Sequence, residues 1–120
     1  MRDKNDLLDR LLRFAVRIVI LAGKLPKTPA GFAIASQVVR SGTSVGANCQ
    51  EAQDASSGND FLYKLNISLR EARETYYWLK VIQLSKLLPD IFVNSEMQEC
   101  NEIISILVKS VKTIKLKYGK

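Results

Sequence analysis

Between Asp6 and Lys24 the chain is apolar around most of a helical circumference. Leu7, Leu8, Leu11, Leu12, Phe14, Ala15, Val16, Ile18, Val19, Ile20 and Leu21 leave only one narrow polar stripe, occupied by Arg10, Arg13, Arg17 and Lys24. Leu25-Pro26 ends this first helix, because the residue before a proline is pushed out of the α region. Thr28-Pro29 then reads as a hydroxyl N-cap followed by proline at the first helical position, opening a second helix that is expected to reach about Ala55. Ser56-Ser57-Gly58-Asn59 is the next break, and Ser57 with Asp60 resembles a capping box. A third helix is expected to run to about Leu88. Pro89-Asp90 and Asn94-Ser95 bracket the last connection, and a fourth helix is predicted over Glu96 to Lys117. No alternating strand pattern and no internal repeat is present. Long helices joined by short loops predict an all-α, antiparallel up-down-up-down four-helix bundle forming a single domain over residues 1–120.

The apolar surface exceeds what one such bundle buries. On the third helix, Phe61, Leu65, Leu69, Ala72, Tyr76 and Leu79 form a core stripe, yet Tyr63, Ile67, Trp78 and Val81 lie on roughly the opposite side among Asp60, Glu71 and Glu74. A second apolar patch rimmed by charge is how subunit interfaces look, although scattered exposed apolar residues are also common on soluble proteins. Phe14, Ile20, Tyr63, Ile67, Tyr77, Trp78 and Val81 are therefore candidates for a self-association interface. The second helix carries a seam of small residues, Ala35, Gly42, Gly46 and Cys49. Each interior glycine costs about 1 kcal/mol against alanine, which calls for close approach of a neighbouring backbone. A separate polar stripe holds Gln37, Arg40, Ser44, Asn48 and Glu51. Arg40 and Glu51 are too far apart along one helix to pair, so each is expected to meet a partner on another helix or subunit.

Composition narrows the function classes. Eighteen basic against twelve acidic residues give a net charge of +6 in 120 residues. That balance suits an anionic partner such as RNA, DNA or a membrane surface, and equally suits plain solubility. Histidine is absent, which removes the commonest general base and metal ligand. Cys49 and Cys100 are too few for a disulfide framework or a four-ligand zinc site, and both fall on apolar faces, as buried reduced thiols do. Neither a phosphate-binding glycine loop nor a nucleophile elbow is present, so no metal, cofactor or enzymatic activity is expected. The apolar run Ile18 to Gly23 is too short for a signal peptide or a membrane span, and the expected location is the cytoplasm.

The run Gln37-Val38-Val39-Arg40-Ser41-Gly42-Thr43-Ser44-Val45-Gly46-Ala47-Asn48, followed by Glu51-Ala52, resembles the signature Q-[LV]-x-R-[AS]-x-x-S-[IV]-x-A-N-x-x-E-[AG] of the bacterial 23S rRNA intervening-sequence proteins. These proteins are encoded within insertions in large-subunit rRNA genes and elsewhere in bacterial genomes. Phe61, Lys64-Leu65, Ser68-Leu69-Arg70-Glu71 and Trp78-Leu79 extend the match, and Ala52 stands where the family usually has glycine. The resemblance covers almost the whole chain. It implies a left-handed four-helix bundle, commonly a ring-shaped homopentamer. The fold is also similar to the accessory protein of diversity-generating retroelements, a basic pentamer that binds nucleic acid and a reverse transcriptase. The family's own activity is poorly defined, so the resemblance bears on fold and assembly more than on function.

Two functional expectations follow. In the first, Arg10, Arg13, Arg17, Lys24 and Lys27 bind a nucleic-acid backbone, with Arg70 and Arg73 adding contacts near Tyr63 and Tyr77. Five copies would carry about +30, enough for salt-sensitive binding that tolerates sequence. A basic stripe can also be simply the solvated face of an amphipathic helix. In the second, the exposed aromatics Tyr63, Tyr77 and Trp78 anchor a protein partner. An enzyme is the weakest fit: Glu71 and Glu74 lack the histidine partners of a di-iron site, and salt bridges with Lys64, Arg70 or Lys80 are their expected role.

Overall fold

Four helices form as the punctuation dictates: α1 (Lys4–Gly23), α2 (Pro29–Ala52), α3 (Gly58–Ser85) and α4 (Asp90–Tyr118). The computed structural model describes residues 4–118, and among these there is no strand. Thr28 caps α2, its Oγ1 accepting from the Gly31 amide at 3.1 Å, with Pro29 at the first turn. The chain doubles back so tightly here that a Cβ on Gly31 would sit 1.8 Å from the Pro26 carbonyl oxygen, which only glycine avoids. Ser57 caps α3 by accepting from Asp60 N at 3.1 Å, and the Asp60 carboxylate reaches back to the Ser56 amide at 3.2 Å. This is a capping box in which the carboxylate accepts from the residue before the cap instead of from the cap itself.

Three boundaries differ from expectation. α2 stops at Ala52 and α3 at Ser85, where Lys86 takes a left-handed conformation (φ 59°). α4 starts at Asp90, so the last connection is short and Asn94-Ser95 lies inside the helix rather than in a loop. Val93, Met97, Cys100, Ile103 and Leu107 explain the early start. They continue one buried stripe through the weak helix formers, and core packing outweighs local propensity.

Neighbouring helices run antiparallel on all four sides. Ile18 and Leu11 of α1 meet Gly42 and Gly46 of α2, Val45 of α2 meets Ser68 of α3, and Ala72 of α3 meets Cys100 of α4. Arg10 of α1 meets Glu99 and Glu102 of α4, which closes the up-down-up-down bundle. The small-residue seam is explained by α1. A Cβ on Gly42 would lie 2.8 Å from Ile18 Cγ2, and one on Gly46 would lie 3.2 Å from Leu11 Cβ. Among the described residues the buried polar residues are Ser41, Ser68 and Thr75, all at the α2–α3 contact and all hydrogen-bonded there. Ser68 donates to the Val45 carbonyl at 2.6 Å, and Thr75 Oγ1 lies 2.9 Å from Ser41 Oγ.

Candidate nucleic-acid and self-association surfaces

α1 presents Arg10, Arg13 and Arg17 as one stripe, as the spacing predicts, but α4 meets that stripe with carboxylates. Arg10 is nearly enclosed, its side chain 13% exposed, and makes two 2.8 Å hydrogen bonds to Glu99 and a third to Glu102. Those bonds raise the guanidinium pKa and hold the Glu99 carboxyl below its ordinary range. Arg17 Nε lies 2.8 Å from Glu96, and Arg13 pairs with Asp9 one turn back on its own helix. Three arginines thus face four carboxylates, and the seam is net acidic. Lys24 stands over the Phe92 ring, 5.4 Å from its centre, and Lys27 is exposed in the α1–α2 connection. Arg10, Arg13 and Arg17 thus share one stripe as expected, each with a carboxylate beside it, and Arg10 alone of the three is nearly enclosed. A single helix shows the cations, and only the fold shows what sits opposite.

The polar stripe of α2 finds its partners on α3. Arg40 bridges Glu71, at 3.2 Å, and Glu74, while Gln37 accepts from the same guanidinium. Glu51 accepts from Lys64 at 2.9 Å. Ser44 and Asn48 donate to backbone carbonyls one turn back on α2. Glu71 and Glu74 thus pair with Arg40 across the helices, and not with the expected cations on their own helix. Trp78 Nε1 donates to Glu74 at 3.0 Å and packs edge-to-face on Tyr77, with ring centres 5.1 Å apart.

The outer face of α3 is different. Arg70, Arg73, Tyr77 and Lys80 follow one another at helical spacing, all exposed, and none of the three cations has a carboxylate within ion-pair distance among the described residues. Lys80 is a residue that sequence reasoning left out of the candidate site, although its spacing of seven from Arg73 would have found it.

The apolar candidates divide as well. Phe14, expected at an interface, is instead fully buried in the core of its own chain, because the apolar arc of α1 includes the core stripe and extends beyond it. Ile20, Tyr63 and Tyr77 are exposed, whereas Ile67, Trp78 and Val81 are half-buried. Leu12, Val16 and Val19 also lie open on α1, on the side away from Arg10 and Arg17, and Phe32 is 59% exposed on α2. Cys49 and Cys100 are buried reduced thiols, and desolvation pushes their pKa values up to about 11 and about 12. No metal-binding cluster and no helix long and apolar enough to cross a membrane occurs among the described residues.

Comparison with known proteins agrees with this architecture. A crystal structure of a protein of unknown function from the S23 ribosomal protein family of Bacteroides thetaiotaomicron VPI-5482 superposes with a TM-score of 0.83 at 40% identity, covering 88% of this chain and 98% of that one. Among curated proteins none matches. The family model described as 23S rRNA-intervening sequence protein matches residues 3–109, so the chain belongs to that family.

Proposed function

We propose that the protein is a non-enzymatic, self-associating helical scaffold that presents the outer face of α3 to an RNA or DNA backbone. The observation that carries the reading is the stripe Arg70, Arg73, Tyr77 and Lys80, where three cations without carboxylate partners flank an exposed ring. Phosphates attract such a stripe through counterion release, and an exposed ring offers a stacking platform for an unpaired base. The relatives' names tie them to 23S rRNA genes and to the ribosome, which makes structured RNA the first ligand to test.

Self-association is supported by Leu12, Val16, Val19 and Ile20 on α1 with Phe32 on α2, exposed apolar side chains that the bundle leaves in water. Several copies, five in the arrangement the family resemblance implies, would repeat the α3 stripe and raise its effective affinity. Catalysis finds little support. The two thiols are protonated at neutral pH, Glu71, Glu74, Glu96 and Glu99 are engaged with arginines, and histidine is absent.

The test is fluorescence anisotropy with a structured RNA and a matched duplex DNA at two salt concentrations. Binding is expected to weaken steeply with salt and to vanish in Arg70→Glu/Arg73→Glu/Lys80→Glu, while Arg13→Gln binds as wild type. Absence of binding at low salt would exclude nucleic acid. The exposed Tyr63, Tyr77 and Leu84 would then favour a protein partner. Native mass spectrometry of Val16→Glu/Ile20→Glu tests assembly separately: monomers are expected, and an unchanged oligomer would overturn the α1 face.

A further inference from the structure

Between the first half of α1 and the second half of α4 lies a cavity of 530 Å³, walled by Leu7, Cys49, Phe61, Leu65, Ile106 and Ile114, one or more residues from each helix. Its size falls within the range of about 300–1,000 Å³ typical of small-molecule sites, which in helical bundles lie between the helices.

The polar groups at this cavity are few and of one electrostatic sign. Lys109 and Thr113 line it from α4 and Gln53 from the C-cap of α2, and no carboxylate lines it. The Ser110 hydroxyl is engaged, donating to the Ile106 carbonyl at 3.0 Å. Ile106 and Ile114 are eight residues apart, about 12 Å along the helix axis, and set the length of the apolar wall.

We propose that this cavity binds a free medium-chain carboxylate, the acyl chain lying along Leu7, Leu65, Ile106 and Ile114 and the headgroup meeting Lys109 and Thr113. The walls offer water almost no hydrogen bonds, so an acyl chain displaces weakly held solvent. Lys109 supplies the charge complement that selects an anionic head over a neutral one. The site is separate from the α3 stripe, and its test does not depend on nucleic acid.

Isothermal titration of the full chain with laurate, below its micelle concentration, is expected to give saturable binding of one molecule per chain. Ser110→Trp fills the cavity and is expected to abolish that heat while the thermal melting point holds. Lys109→Glu is expected to weaken laurate by at least about tenfold, the worth of one charge-assisted contact, and to leave dodecanol binding within about twofold. No saturable heat with laurate overturns the proposal, as does unchanged binding in Ser110→Trp. Equal losses of laurate and dodecanol in Lys109→Glu overturn the headgroup assignment.

Discussion

The seam between α1 and α4 and the outer face of α3 both carry three cations at helical spacing, yet they differ in almost every physical respect. At the seam, Arg10 is enclosed and shared between two carboxylates, and Arg17 has Glu96 beside it. On α3, Arg70, Arg73 and Lys80 extend into water with no such partners among the described residues. The first arrangement holds two helices in register. The second leaves positive charge available at the surface. A row of arginines on one helix is thus not a binding site until the helix packed against it is known, because charge becomes available only after the fold has satisfied its own pairs.

The largest effect separating the two regions is expected from Glu99→Ala. It leaves the enclosed Arg10 with only the exposed Glu102, and a mostly buried charge deprived of its main partner costs about 2–4 kcal/mol. Urea unfolding would show this as a lowered midpoint at unchanged slope. The same pair has an acid signature. Hydrogen bonds from Arg10 hold Glu99 below its ordinary value of 4.5, outweighing the opposite push of burial. A carboxyl depressed on folding contributes its full stability above the unfolded-state pKa and loses it as pH falls through the folded value. Wild-type stability should therefore fall more steeply below pH 4.5 than that of Glu99→Gln. Parallel curves would mean that the pair adds nothing.

An intermediate effect is expected where α2 meets α3. Arg40 is 48% exposed, so solvent screens its bridge to Glu71 and Glu74, and Arg40→Ala should cost about 1 kcal/mol. Removing the guanidinium also frees Glu74 to hold Trp78 alone. The tryptophan emission maximum is the sharper measurement here: a red shift is expected if the network orders the indole, and an unmoved spectrum would limit Arg40 to an ordinary surface pair.

Much of this was legible in the chain, and the rest was not for identifiable reasons. Thr28-Pro29 and Ser57 announced two helix starts because capping is local chemistry. Gly42 and Gly46 pointed correctly to a close neighbour, and Arg40 and Glu51 to partners on another helix. The start of α4 was misplaced because Asn94-Ser95 reads as a break, while the buried stripe through Val93 and Met97 depends on tertiary packing. Phe14 was assigned to an interface because an apolar arc does not say which part faces inward. The carboxylates opposite Arg10 and Arg17 lie about 80–90 residues along the chain, beyond any local pattern.

The smallest stability effect is expected on α3 itself. Neutralising Arg70, Arg73 and Lys80 to glutamine removes exposed charges that have no carboxylate partner among the described residues, so the free energy of unfolding should move by no more than about 0.5 kcal/mol. The sign favours a slight gain at low salt, since three like charges along one helix repel one another, and salt should erase it. The triple variant therefore has to combine a near wild-type urea midpoint with lost affinity for structured RNA. A midpoint lowered by more than about 1 kcal/mol would mean that these side chains also bind partners within the bundle or between copies. The α3 face would then be a second packing seam, and the excess charge would have to act from the lysines of the last turns of α4, Lys112, Lys115 and Lys117.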